Sequence, residues 1–182
     1  SNRFKLLFIE AGVIYDKENK AVVLNSLDIF LTEEALVGEQ NNIEMFRQVE
    51  IFSFSKPELF KHLFSPLIQF NNATKYCVLD NFVVFADNLE LLQNIISSYQ
   101  NKSTLSEQNY FNDIKEQLSD ASSLLIVVSP SILNDILNKN LQETGTLSLE
   151  KYNLSALQFI YDTNFAHVNG IIKKEKLKLY KI

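Results

Sequence analysis

The stretch Lys75-Tyr76-Cys77-Val78-Leu79-Asp80-Asn81-Phe82-Val83-Val84-Phe85-Ala86, followed by Asp87, decides the fold class. Two apolar runs flank Asp80-Asn81, a pair whose side chains tolerate positive φ, so the segment reads as a β-hairpin with strands at Lys75–Leu79 and Phe82–Ala86. Asp87 then stands as a helix N-cap, with Glu90 at the third helical position as a capping box requires. Leu92, Ile95, Ile96 and Tyr99 fall on one face of that helix. The local grammar is strand, cap, amphipathic helix.

Working outward, the grammar recurs. Leu124–Val128 is a strand, capped by Ser129, with Pro130 suited to the first helical position and a stripe of Ile132, Leu133, Ile136 and Leu137. Val49–Phe54 leads through Ser55 or Lys56 as cap and Pro57 to Leu59, Phe60, Leu63 and Phe64. A fourth, looser instance runs Leu27–Leu31 with Thr32 as cap and a short helix ending at Gly38. The recurrence is one of local design rather than residue identity, which leaves an internal duplication open.

Thr104 and Glu107 form another capping box ahead of a helix with Tyr110, Phe111, Ile114 and Leu118 inward. The C-terminal third reads as a meander. Ala156–Tyr161 and Phe165–Ile172 join through Asp162-Thr163-Asn164, and Lys176–Tyr180 adds a strand. Loops fall at Asp16–Lys20, Gly38–Asn42, Asn71–Thr74 and Asn138–Thr146, none long enough to mark a boundary. Hairpins interleaved with helices predict an α+β fold with a mainly antiparallel sheet, strand–cap–helix units and a C-terminal β meander, in a single domain over residues 1–182.

Composition fits a folded domain. With 182 residues the chain can bury roughly 70% of its unfolded surface, so no disulfide or metal is needed to hold it. The apolar share of 46% and charged share of 21% are those of a globular protein. A net charge of −5 argues against nucleic acid as a partner. Cys77, the single cysteine, sits in an apolar run and reads as core. No stretch reaches the roughly 20 apolar residues that span a membrane. Ser1-Asn2 has the form of a tag-cleavage remnant, and the abrupt end at Lys181-Ile182 fits an excerpt of a longer protein.

The polar residues read as structure. His62 and His167 are the only histidines, and nothing in the spacing joins them into a nucleophilic triad or a zinc site. Glu33-Glu34 sits in the first turn of a candidate helix, Asp80 in a turn and Asp87 at a cap. Gly12, Gly38, Gly145 and Gly170 are too dispersed for a phosphate loop. The run Lys173, Lys174, Lys176, Lys178 and Lys181 alternates with Leu177 and Leu179 as the wet face of an edge strand. Asn72, Asn101 and Asn153 each open a glycosylation triplet of the kind an Asn-rich chain yields by chance. The reading therefore assigns no catalytic, cofactor-binding or metal-ligating residue and no cofactor.

The stretch Tyr76–Pro130 resembles an uncharacterised bacterial family, a domain of unknown function found in cell-envelope proteins. The resemblance rests on Phe82–Ala86, the helix through Leu92, Ile95 and Tyr99, then Thr104-Leu105-Ser106 with Phe111, and Leu118-Ser119 leading to Ser122-Ser123-Leu124. Leu157–Val168 is similar to the end of such a domain. It implies a domain outside the cytoplasm, periplasmic or held at the membrane through an N-terminal anchor, with other envelope proteins as partners. Two functions follow as expectations. The first is a non-catalytic binding or scaffolding domain; the alternative is a hydrolase or ligand-handling domain whose site other parts of the chain complete.

Overall fold

A computed structural model describes residues 2–16, 19–65, 68–129 and 152–174. The chain divides into two compact units, residues 1–102 and 103–182, each with its own sheet. This division is finer than the single domain read from the sequence, because no Pro, Gly or charge run marks the junction at Lys102-Ser103.

The first unit is a run of hairpins, each followed by a helix. After a short helix, α1 (Asn2–Lys5), come β1 (Phe8–Asp16), β2 (Asn19–Ser26) and α2 (Ile29–Leu36). Next follow β3 (Gln40–Phe46), β4 (Val49–Phe54) and α3 (Leu59–Phe64), then β5 (Lys75–Leu79), β6 (Phe82–Ala86) and α4 (Leu89–Gln100). The six strands form one antiparallel sheet in the order β1-β2-β6-β5-β4-β3, which puts the last hairpin between the other two.

Strand alternation sends side chains to two separate cores. On one face the register aligns Val13, Val22, Phe85, Tyr76 and Phe52 in a row across β1, β2, β6, β5 and β4. Phe85 and Tyr76 stack at 5.2 Å, as do Tyr76 and Phe52, and Phe60 of α3 meets the Phe85 ring edge-on at 4.8 Å. On the opposite face Cys77, Val84, Ile51 and Ala21 pack under Leu91, Leu92 and Ile96 of α4, with Ile95 and Tyr99 at the margin. Central strand β6 is thus buried on both sides, Val83 and Phe85 in one core, Val84 and Ala86 in the other.

The second unit carries α5 (Asn109–Lys115) and three antiparallel strands, β7 (Leu124–Val128), β8 (Tyr152–Tyr161) and β9 (Ala166–Lys174), in that order. Ile114 of α5 and Ala156 of β8 make its small core, with Phe111, Leu118, Val127 and Ile171 around them. Gln158 is buried and holds the loop after α5 as a second backbone would. Its Nε2 donates to Ser119 O at 2.8 Å and its Oε1 accepts from Ser119 N at 3.0 Å.

The α+β class, the antiparallel pairing, the Asp80-Asn81 hairpin and the C-terminal meander stand as read. Several boundaries need correction. Asn88, not Asp87, caps α4 by accepting from Leu91 N at 2.8 Å, so Glu90 lies at the second helical position and no capping box forms. Glu58, not Ser55 or Lys56, holds the cap position of α3, with no side-chain bond to the helix N-terminus; Ser55 and Lys56 both engage Glu39. Leu27–Leu31 is no strand: β2 ends at Ser26, Asp28 caps α2, and Thr32 lies buried inside the helix. Glu33 and Glu34 are consequently past its first turn.

Asn19–Lys20 and Gln40–Asn42, read as loop, belong to β2 and β3. Thr104 precedes a 3-10 turn with no side-chain cap, and Tyr110 is exposed rather than inward. The helix from Pro130, the 138–146 loop, Gly145 and the Lys176–Tyr180 strand fall outside the described residues.

Phe85→Ala is expected to lower the stability of the first unit by about 3–5 kcal/mol in denaturant unfolding, since the cavity opens where three rings meet. Burial pushes the Cys77 thiol up to about 12. Native protein at pH 8 should leave Cys77 unreacted with a thiol reagent, with full reaction after unfolding. An unfolded thiol ionises near pH ~8.5, so this group's contribution to stability is held below that pH and lost as pH rises towards 12.

Candidate binding surface

The surface is built on α2. Asp28 accepts from Leu31 N at 3.1 Å, and the Thr32 hydroxyl donates to Asp28 O at 3.0 Å. Thr32 also shares a 2.7 Å bond with Ser26 at the end of β2, and both residues are buried. The buried Ser26–Thr32 bond holds the helix rotation, because any turn of α2 would break it inside an apolar layer.

That rotation sends Ile29, Thr32 and Leu36 to the sheet and leaves Leu27, Phe30, Leu31 and Val37 outside. Phe30 is 80% exposed, Leu27 64%, Val37 62% and Leu31 53%. Their spacing places them along one side of the helix and its preceding and following residues. The side facing water therefore carries large apolar side chains together with the exposed Glu33 and Glu34.

Beside α2 lies an open concavity of about 580 Å³. Val37, Met45, Phe52 and Val78 supply apolar lining, with Tyr76 beneath. Glu33 stands on the helix side and Glu50 on the β4 side, and Gln40 and Gln48 add amides. Tyr76 donates its hydroxyl to Gln40 Oε1; burial, then the nearby Glu33 carboxylate, hold the phenol well above its usual range.

The edge of this concavity is pinned from both ends. Glu39 accepts from Ser55 and Lys56, ties that depress its carboxyl, the Lys56 bond foremost, and fasten the start of β3 to the end of β4. At the other end Arg47 and Gln48 both take positive φ, 48° and 66°, in a two-residue turn. Gln100 Nε2 donates to Arg47 O at 2.9 Å, and Arg47 Nη1 to Asn101 Oδ1 at 3.2 Å, tethering the turn to α4.

His62, His167, Asp80, Asp87 and Lys173 each have their own local partner. His62 is exposed on α3 within 3.8 Å of Glu58 Oε2. His167, in the second unit, is exposed and bonds Asn169 Oδ1 at 2.9 Å; Asn169 in turn donates to the buried Gln158. Asp80 takes the positive φ of its turn and accepts the Tyr99 hydroxyl at 2.6 Å, which pushes that phenol up to about 12. Asp87 Oδ1 accepts from Asn88 Nδ2 at 3.0 Å. Lys173 pairs with Asp113, while Lys176, Lys178 and Lys181 lie outside the described residues. Among the described residues no three of His, Cys, Asp or Glu come together as metal ligands, and no helix is long and apolar enough to cross a membrane.

The sequence hides the α2 surface because a cap at Thr32 starts the helix too late to include Phe30 and Leu31; Asp28 caps it instead. Asp28 three residues before Leu31 was the available signal. No protein-family model, curated protein or solved structure matches the chain.

Thr32→Val keeps shape and removes the hydroxyl. It should cost about 1–3 kcal/mol in thermal or denaturant unfolding and speed amide exchange in α2. Unchanged stability and exchange would show that the hydroxyl pair does not lock the helix.

Proposed function

We propose that this chain is a non-catalytic binding or scaffolding domain of a bacterial envelope protein, acting outside the cytoplasm and docking a partner through the outer side of α2. The observation that carries the reading is Phe30, 80% exposed on a helix whose apolar side chains point both inward and outward. Large apolar side chains gathered on one exposed side of a helix, here bordered by Glu33 and Glu34, mark an interaction surface. The hydroxyl lock favours the same role, since it presents the stripe in one fixed orientation with little ordering left to be done on binding. The envelope setting rests on the resemblance over Tyr76–Pro130, which also supplies other envelope proteins as the partner class.

A photoreactive residue at Phe30 of the full-length protein, activated in cells, is expected to give one discrete crosslinked species in the envelope fraction. Leu31→Glu should abolish it, and the same label at exposed Lys61 should not produce it. A yield at Phe30 equal to that at Lys61 overturns the docking role, and recovery in the cytosolic fraction overturns the location.

A further inference from the structure

Charge and shape beside α2 define what the partner presents. Resting on the reading of this unit as a docking module, we propose that the concavity between α2 and β3–β4 takes a segment of a partner protein in which a lysine or arginine stands between apolar side chains. The lining carries two carboxylates, Glu33 and Glu50, and no basic residue. Val37 and Met45, 62% and 61% exposed, share the lining with the stacked Phe52–Tyr76 ring pair.

A cationic head with an apolar stem matches this pattern, because the methylenes of Lys or Arg cover apolar surface while the charge stays at the acidic rim. An anionic segment meets like charge from both sides. Met45 adds an adaptable apolar contact of the kind found at peptide-binding surfaces. Gln40 keeps its amide nitrogen as a donor for the bound backbone, since its Oε1 already accepts from Tyr76.

The concavity also has a direction. Val37 belongs both to its wall and to the side of α2 that carries Phe30 seven residues earlier, with Glu33 and Glu34 between them. A small organic cation would fill the hollow and leave that side in water, whereas a chain segment covers both. The occupant is therefore a peptide segment, with the cation in the hollow and an apolar residue on α2.

The test measures binding of a fluorescent peptide alternating leucine and lysine to the full chain by anisotropy, beside a peptide with glutamate for each lysine. The lysine peptide is expected to bind, with affinity falling as salt rises, and the glutamate peptide to bind at least about tenfold more weakly. The double variant E33K/E50K should lower affinity for the lysine peptide about tenfold and Met45→Glu by a similar factor, while Glu90→Lys on α4 leaves it unchanged. Equal binding of both peptides, or insensitivity to E33K/E50K, overturns the proposal. Full competition by lysine amide alone overturns it in favour of a small cation. A surviving Phe30 crosslink alongside failed peptide binding rejects this partner chemistry and leaves the docking role standing.

Discussion

Burial of one hairpin on both of its faces is the constraint from which the first unit follows. β5 and β6 sit in the middle of the sheet, and helices cover both of its faces there. Val83 and Phe85 enter one core, Val84 and Ala86 the other, and β5 repeats the division with Tyr76 against Cys77. A strand buried on both faces reads as a continuous apolar run, as this one does. It also obliges the chain to supply cover on both sides: α3 seals one face through Phe60, and α4 seals the other through Leu92 and Ile96.

The aromatic row carries this constraint sideways. Phe85, Tyr76 and Phe52 stack across three neighbouring strands, and the covering helix reaches Phe85. Towards the β3 edge the same face runs on past the helices, and what is left uncovered becomes the concavity. The candidate surface is thus the unfinished end of a core rather than a feature added to a finished one. Its acids stand at the rim, where ionised carboxylates keep their water.

α2 is the element whose composition and environment disagree. Its inner side is settled by the Ser26–Thr32 hydroxyl pair and Leu36, yet its outer side holds Phe30 and Leu31 in water. Burying a side chain of that size is worth roughly 1.5–3 kcal/mol, so the outer stripe is a reserve of free energy that folding of this unit leaves unused. In the second unit the buried Gln158 joins Ser119 to Asn169.

The sequence alone determined what depends on neighbours in the chain: the Asp80-Asn81 hairpin, the strands at Val49–Phe54 and Leu124–Val128, the stripe through Leu92 and Ile96, and the burial of Cys77. Periodicity and turn chemistry are local, and these elements obey them. Helix starts were legible only to within one to four residues, because Asn88, Asp28 and Thr32 are all residues suited to capping and only the backbone path selects among them. The tertiary structure alone decided the strand order, which inserts the last hairpin between the first two. It alone decided which side of α2 faces water and that Glu33, Met45, Glu50 and Tyr76 meet around one hollow. Those residues come from four elements up to 43 positions apart (76 − 33), and pairing at that distance is set by which faces can be buried together.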